Sequence, residues 1–223
     1  MSRDDITHLA FAIGLIAIAG YVDAVGFLKL GGLFVSFMSG NSTQFAVVAT
    51  QGRWSDAGEA GGIVLLFVLG VVAGHLVALR AGLWRRPAIL IMDAALLGGA
   101  VLLAPSPLAM IPTVIAMGLQ NEAQHKAGEI KTSLTYVTGT LVSLGEHLAG
   151  ALSGSEPEKR WHWVAYLLLW LGLVLGAVIG ARLYADQQIA ALRWPAIILT
   201  ICAIATAIPP WRRRPRRRIP AEI

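Results

Sequence analysis

Long apolar runs separated by short polar breaks are the dominant pattern of this chain. Eight such runs occur, and a helix that spans the hydrocarbon core of a bilayer needs about 20 mostly apolar residues. The breaks contain glycine, proline, arginine and tryptophan, which end helices or favour the membrane interface. The pattern therefore predicts an all-α, polytopic membrane protein. The runs cover approximately residues 8–28, 33–50, 61–83, 88–104, 107–124, 134–152, 163–184 and 189–208.

Four short motifs of the first half recur in the same order in the second half. Their offsets are about 98 to 108 residues, and internal repeats of this kind are common in membrane transporters. We therefore predict two homologous transmembrane repeats, at 1–105 and 106–210, followed by a basic tail at 211–223. The motif pairs are Gly20–Asp23 with Gly118–Asn121, Met38–Asn41 with Val137–Thr140, Gly70–Gly74 with Gly176–Gly180, and Arg86–Leu90 with Trp194–Ile198.

The composition excludes a soluble protein. Of the residues, 56% are apolar and only 14% are charged, and the mean hydropathy is +0.67, whereas soluble domains contain about 25% charged residues. Basic residues concentrate in the tail and, as Arg80, Arg85 and Arg86, between the third and fourth runs. Cytoplasmic loops of membrane proteins carry such an excess. Both basic segments fall in the cytoplasm if the second and sixth runs do not cross.

That topology places both termini in the cytoplasm and makes the two halves inverted relative to each other. Each half then contributes three crossings plus one broken or re-entrant helix, an architecture typical of transporters. Eight full crossings in parallel repeats are the alternative. The basic tail is expected to contact anionic lipid headgroups rather than nucleic acid.

Asp23 is the sharpest candidate for function in the first half. An ionised carboxylate inside an apolar helix costs a few kcal/mol or more unless it is paired or hydrated. Asp23 therefore marks a cavity or a proton site, or else a structural ion pair with Lys29 near the helix end. The second half has Gln120 and Asn121 at the matching position, where the polar residues indicate either a vestibule or a solvated helix end.

Two clusters of small polar residues are candidates for solute binding. Glycine permits unusual backbone angles, and amide and hydroxyl side chains satisfy the backbone groups that a broken helix releases. Such a break can bind a solute, although small residues also serve close helix packing. The candidates are Ser39, Gly40, Asn41 and Thr43 in the first half, and Thr138, Gly139 and Thr140 in the second.

Three further ionisable residues lie in or beside the runs. Glu146 and His147 follow the second polar cluster and are interpreted either as a proton relay or as a polar helix face turned to headgroups. Asp93 is expected to pair with Arg85 or Arg86, or to join the cavity. The glycine pairs of the third and seventh runs indicate close helix contacts, within one chain or across a dimer.

Several segments resemble the YoaK-like family of bacterial inner-membrane proteins. The segments are 20–27, 34–41, 118–121 and 135–140, with Ser39 where the family often has threonine. The resemblance implies a multi-pass protein of the bacterial inner (plasma) membrane and supplies no substrate, so the function is argued from the residues.

The leading hypothesis is a small secondary transporter for a polar solute or anion, with Asp23 or Glu146 coupling movement to protons. A channel with paired re-entrant helices and a non-transporting scaffold are the alternatives. The sequence contains no phosphate-binding loop, Cys/His metal cluster or nucleophile motif, so we expect no enzyme activity, cofactor or metal. With few crossings, a homodimer is predicted.

Overall fold

A computed structural model describes residues 3–124, 137–154 and 161–207. In these residues the chain forms eight α-helices and no strand, which confirms the predicted all-α class. Short 3-10 turns join α3 to α4, flank α5 and join α7 to α8. The predicted tail at 211–223 lies outside the described residues. The helices are α1 (Arg3–Lys29), α2 (Met38–Thr50), α3 (Trp54–Ala81), α4 (Arg85–Leu102), α5 (Met110–Gln120), α6 (Val137–Ser153), α7 (His162–Gln187) and α8 (Arg193–Ala207).

Three continuous helical stretches are long and apolar enough to cross a membrane. They cover residues 6–29, 54–102 and 162–207, and the second and third each contain two α-helices joined by a 3-10 turn. Many of their large apolar side chains are exposed, among them Leu79, Leu175 and Ile201. Exposed apolar side chains on long helices are what lipid requires, since water would disfavour them. The α2 helix has 13 residues, about 20 Å, and is by itself shorter than a hydrocarbon core of about 30 Å.

Glycine contacts fix the packing of α1 on α7. Gly20 lies against the backbone of Leu173, and Gly176 and Gly180 lie against the backbones of Ala17 and Tyr21. A methyl group at any of these glycines would overlap a carbonyl oxygen, so only glycine allows the approach. Gly172, Gly176 and Gly180 meet Ile13, Ala17 and Tyr21 in the same order along both helices, so α1 and α7 run in the same direction.

The α3 and α5 helices pack in the same manner. Gly70 and Gly74 lie against the backbones of Ile115 and Leu119, and Gly118 lies against the backbone of Phe67. These two helices are therefore also parallel. Both glycine pairs of the sequence thus form helix contacts within one chain. Of the two alternatives, contacts within a chain or across a dimer, the first is observed, and neither pair is free for a dimer.

The remaining helices complete the bundle around these two pairs. The α4 helix packs along both α5 and α8, whereas α2 packs on α3 and α6 packs on α7. The described core is almost wholly apolar, and its largest fully buried side chains include Leu15, Leu90, Met117 and Leu199. Against this background, each buried polar side chain stands out as a candidate for function.

Candidate substrate-binding and coupling site

The Asp23 carboxylate fastens the segment that follows α1. Its Oδ1 accepts hydrogen bonds from the backbone N–H groups of Val35 (2.8 Å) and Ser36 (3.0 Å), and the Ser36 hydroxyl donates to the carboxylate as well. Gly26 provides the space in which Val35 packs against α1. Asp23 lies six residues before the end of α1, about 9 Å along the axis. The chain therefore turns back along α1 before α2 begins.

Glycines at the turn make this reversal possible. Gly31 and Gly32 have positive φ angles of 63° and 114°, which L-residues with a side chain rarely adopt. The alternative of an ion pair between Asp23 and Lys29 is not observed in the described structure, because the carboxylate binds backbone N–H groups instead.

Asn41 holds the same segment from the α2 side. Its Oδ1 accepts a hydrogen bond from the Phe34 N–H at 3.0 Å, and its Nδ2 donates to the Phe34 carbonyl at 2.6 Å and to Met38 Sδ at 3.9 Å. The side chain is 1% exposed and pairs with Phe34 as a neighbouring strand would. In this conformation both polar atoms of Asn41 are therefore committed to the backbone. We call Asp23, Asn41 and residues 34–36 the loop clamp.

The other residues of the first polar cluster lie on the surface of α2. Ser39 and Thr43 are exposed, and the Thr43 hydroxyl donates to the Ser39 carbonyl at 3.1 Å. Gly40 contacts the ring of Phe37, and a Cβ atom there would collide with it. Hydroxyls that bond back to their own helix need no other partner in lipid.

Gln120 and Asn121 stand at the end of α5. Asn121 turns back on its helix, with Nδ2 donating to the carbonyls of Met117 (3.0 Å) and Gly118 (3.4 Å). Gln120 is 1% exposed, and neither atom of its amide has a hydrogen-bond partner in the described part of the chain. Gln120 is therefore a buried amide with free donor and acceptor capacity.

The second polar cluster lies on the first turn of α6. Thr138 is exposed, Gly139 is partly buried and Thr140 is buried. Further along α6, Glu146 is exposed, and the His147 ring stacks on Tyr166 at 5.1 Å between centroids and meets His162 edge-on at 5.7 Å. The histidine is thus held by aromatic contacts between α6 and α7.

The two polar clusters are not joined in the described structure. The first packs with α3 and the end of α1, the second packs with α7, and α2 and α6 are not among the closely packed helix pairs. The predicted shared binding space between them remains a prediction, because residues 125–136 precede α6 and lie outside the described part.

Asp93 occupies the buried face of α4. It is 1% exposed, and neither carboxylate oxygen has a hydrogen-bond partner among residues 3–124, 137–154 and 161–207. The expected ion pair with Arg85 or Arg86 is absent there. Arg85 Nη2 instead binds Glu122 Oε2 at 2.5 Å, and the Arg86 guanidinium lies 5.0 Å from the centre of the Phe11 ring.

An apolar cleft of about 440 Å³ separates α1 from α8, with α7 as its floor. At one end the Tyr21 hydroxyl donates to the Ala191 carbonyl at 2.8 Å. Because Phe11 and Cys202 line the other end, α1 and α8 run antiparallel. The residues that line the cleft include Phe11, Gly14, Ile18, Tyr21, Ile198 and Cys202.

A family model described as a protein of unknown function (DUF1275) matches residues 11–205. The chain belongs to the DUF1275 family. The UPF0700 transmembrane protein RA0705 of Rhizobium meliloti (strain 1021) is 35% identical over 215 residues, which is 95% of this chain and 92% of that protein. The UPF0700 transmembrane protein YoaK of Bacillus subtilis (strain 168) is 28% identical over 153 residues, 64% of this chain and 68% of YoaK. No solved structure matches.

These relatives confirm the YoaK-like resemblance of the motifs and the multi-pass membrane character of this DUF1275 protein. One part of its site was missed from the sequence. Glu122 is 8% exposed and binds Arg85 and, through Oε1 at 3.4 Å, the His75 Nδ1. A helix-end acid beside an arginine 37 residues away gives no local pattern, so only the fold brings these groups together.

Loss of the Arg85 side chain should destabilise the DUF1275 fold. We expect Arg85→Met to lower the free energy of unfolding by about 1–3 kcal/mol, because it leaves the buried Glu122 charge without its partner. Arg80→Met is the matched control, since Arg80 is exposed at the end of α3. Denaturant unfolding of the purified protein measures both. Adding Glu122→Leu to Arg85→Met should recover most of the loss, and strictly additive losses would contradict a direct pair.

Proposed function

We propose that this DUF1275 protein is a small secondary transporter that moves a polar solute or anion across the bacterial inner membrane. We further propose that it consists of two inverted halves, 1–105 and 106–210, with α2 and α6 as re-entrant helices. The glycine contacts support the duplication, because the motif alignment converts the α1–α7 contacts of Gly20, Gly176 and Gly180 into the α3–α5 contacts of Gly118, Gly70 and Gly74. Gly176 on Ala17, for example, becomes Gly70 on Ile115.

Helix directions support the inversion. Arg86 stacks on Phe11, so α4 begins beside the first half of α1. Glu122 binds Arg85, so α5 ends beside the same turn of α4. The α1 helix therefore starts, and α5 ends, at one end of the bundle, as inverted halves require.

The same directions support a re-entrant α2. The α3 helix is parallel to α5 and hence opposite to α1, so α3 starts at the end of the bundle where α1 finishes. The α2 helix connects these two points after the loop clamp has drawn the chain back to the level of Asp23. It therefore enters from one end and leaves at the same end.

One observation supports the transport proposal. The repeat makes the α4–α5 interface equivalent to the α8–α1 interface, but the first is closely packed and the second is open. The α4 helix packs along α5, whereas α8 hardly touches α1 and the cleft lies between them. Alignment of Pro87 with Pro195 makes Leu90 equivalent to Ile198, yet Leu90 is 0% exposed and Ile198 is 47% exposed. The second half can adopt the closed arrangement of the first, and the first the open arrangement of the second.

Such an exchange is how inverted repeats produce alternating access. If α8 closed on α1 while α4 separated from α5, the binding region would become accessible from the other side of the membrane. A channel needs no exchange of this kind, and a scaffold needs no movement. The solute-binding groups in this proposal are those of the two polar clusters and Gln120, whose amide has no hydrogen-bond partner within the described parts of the chain. Homodimer formation and cytoplasmic termini remain part of the proposal, and no catalytic role is included.

A cleft-filling substitution tests this function. Gly14 faces open space in the cleft, and so does Gly98 on α4 outside it, since a Cβ atom at either position meets nothing within 4 Å. We expect Gly14→Phe to reduce saturable flux into proteoliposomes at least about tenfold, because the ring prevents α8 from closing on α1. Gly98→Phe should leave flux within about twofold of wild type.

The flux assay uses a panel of radiolabelled polar metabolites and inorganic anions, with and without an imposed pH gradient. Saturable flux that Gly14→Phe alone abolishes supports the transporter. Flux that does not saturate and ignores Gly14→Phe favours the channel. No flux from any solute, with unchanged thermal stability in both variants, favours the scaffold.

A further inference from the structure

We propose that Asp93 is the proton-binding group of this protein, and that it exchanges its proton with water only when α4 has separated from α5. This inference rests on the proposed transport function and adds the identity of the coupling residue. It also replaces the earlier candidates, since the Asp23 carboxylate is occupied by the loop clamp and Glu146 is exposed on α6.

The first argument is that no cation neutralises Asp93 among residues 3–124, 137–154 and 161–207. The two arginines of its own helix are engaged elsewhere, Arg85 with Glu122 and Arg86 with the Phe11 ring. Arg85 is also eight residues away, about 12 Å along the axis. An isolated carboxylate in such a place is strongly disfavoured. Asp93 therefore holds a proton in this arrangement.

The neighbouring helices offer no other partner. The α5 helix has no titratable side chain, and α8 contributes only Arg193, at its first residue, and Cys202. On α3 and the turn after α5, the ionisable groups near the start of α4 are His75, Arg80 and Glu122, and the two acids Asp56 and Glu59 lie at the opposite end of α3. None of these groups has a hydrogen bond or an ion pair with Asp93 in the described residues.

The second argument is that the position equivalent to Asp93 on α8 is not covered by protein. The alignment that pairs Leu90 with Ile198 also pairs Asp93 with Ile201, which is 60% exposed on α8. When the halves exchange their arrangements, the Asp93 position takes on that exposure. For proton exchange, water must then enter between α4 and α5 and reach the carboxyl that is sealed in the present arrangement.

Coupling follows from the cost of burying the ionised form. With α4 away from α5, hydronium in the adjoining water can give a proton to Asp93, or water can take one from it, with no other bond made or broken. Once ionised, Asp93 opposes the return of α4 to α5, because closure would seal an unpaired charge. Closure therefore requires the proton, and a proton gradient biases the exchange.

Infrared spectroscopy of the reconstituted protein tests the proton directly and needs no solute. We expect wild type at neutral pH to show the carbonyl stretch of a protonated, non-hydrogen-bonded carboxylic acid, and Asp93→Asn to lack that band. Glu59→Gln is the matched control, since Glu59 is an exposed acid on α3, and it should retain the band. A band that persists in Asp93→Asn would overturn the assignment.

Flux measurements test the coupling. In Asp93→Asn, accumulation driven by a pH gradient should fall to background, while exchange of labelled solute between the two sides persists, because asparagine imitates the neutral acid. Gradient-driven accumulation by Asp93→Asn, or its loss in Asp23→Asn alone, would refute the role of Asp93 and leave transport standing. Failure of wild type to move any solute would refute the proposed function, and the infrared band would still report on Asp93.

Discussion

Gly176→Leu is expected to abolish the packing of α1 on α7 and to lower the free energy of unfolding by more than about 3 kcal/mol. Even a Cβ atom at this position overlaps the backbone carbonyl of Ala17, and backbone cannot move aside as a side chain can. Overpacking of a core position already costs about 1–3 kcal/mol when side chains can adjust. Denaturant unfolding of the detergent-solubilised protein, followed by circular dichroism, measures the loss.

The controls for this prediction use the same substitution elsewhere. Gly98→Leu adds an identical side chain where a Cβ atom meets nothing, and should change the unfolding free energy by less than about 0.5 kcal/mol. Gly70→Leu should cost about as much as Gly176→Leu, because Gly70 meets the Ile115 carbonyl in the same way. A mild effect at Gly176 and a severe one at Gly98 would contradict the packing described for α1 and α7.

Asp23→Ala is expected to release the loop clamp, with a loss of about 2–4 kcal/mol. The substitution leaves two backbone N–H groups without an acceptor, those of Val35 (0% exposed) and Ser36 (7% exposed), and each such group costs about 1–3 kcal/mol. Asp23→Asn keeps one acceptor oxygen and should lose less than half as much. Thermal unfolding and limited proteolysis after residue 30 report the two effects.

A double substitution separates the clamp from a binding role. Asn41→Ala should be similarly destabilising, and adding it to Asp23→Ala should cost clearly less than the sum, since both side chains hold residues 34–36. Ser39→Ala is the control, because Ser39 is exposed on α2. Wild-type stability in Asp23→Ala together with loss of solute binding would show that Asp23 acts on the solute and not on the loop.

The helices could be predicted from the sequence because, in lipid, every backbone N–H and C=O group of a segment must be hydrogen-bonded within the protein. Every marked apolar run overlaps one α-helix of the described structure, since a run of this length in lipid satisfies its backbone hydrogen bonds by forming a helix. The apolar run at 33–50 begins before its helix, because residues 33–36 are not helical. Their conformation depends on hydrogen bonds to Asp23, which lies 12 or 13 residues earlier in the chain. The local pattern of apolar and polar residues does not predict such hydrogen bonds.

The candidate site was predictable only in part, for a related reason. The polarity of Asp23, Asn41 and Gln120 was visible in the sequence, but whether each side chain would bind backbone, solute or nothing depends on its neighbours in the fold. Asp93 was expected to meet an arginine of its own helix, yet residues eight apart on a helix are about 12 Å apart, and Arg85 has a nearer acid in Glu122. The cleft was not predictable, since it is a difference between two similar halves.

The pairing of α1 with α7 also sets conditions for biogenesis. The α1 helix ends at Lys29, and the partner that covers its glycine face begins only at His162. At a translation rate of about 5–20 residues per second, α1 waits several seconds in the bilayer before α7 leaves the ribosome. A nascent chain stopped near residue 105 would hold α1 without its partner and α3 without α5. The close contacts of α1 and α3 can therefore form only after α7 and α5, respectively, have been made.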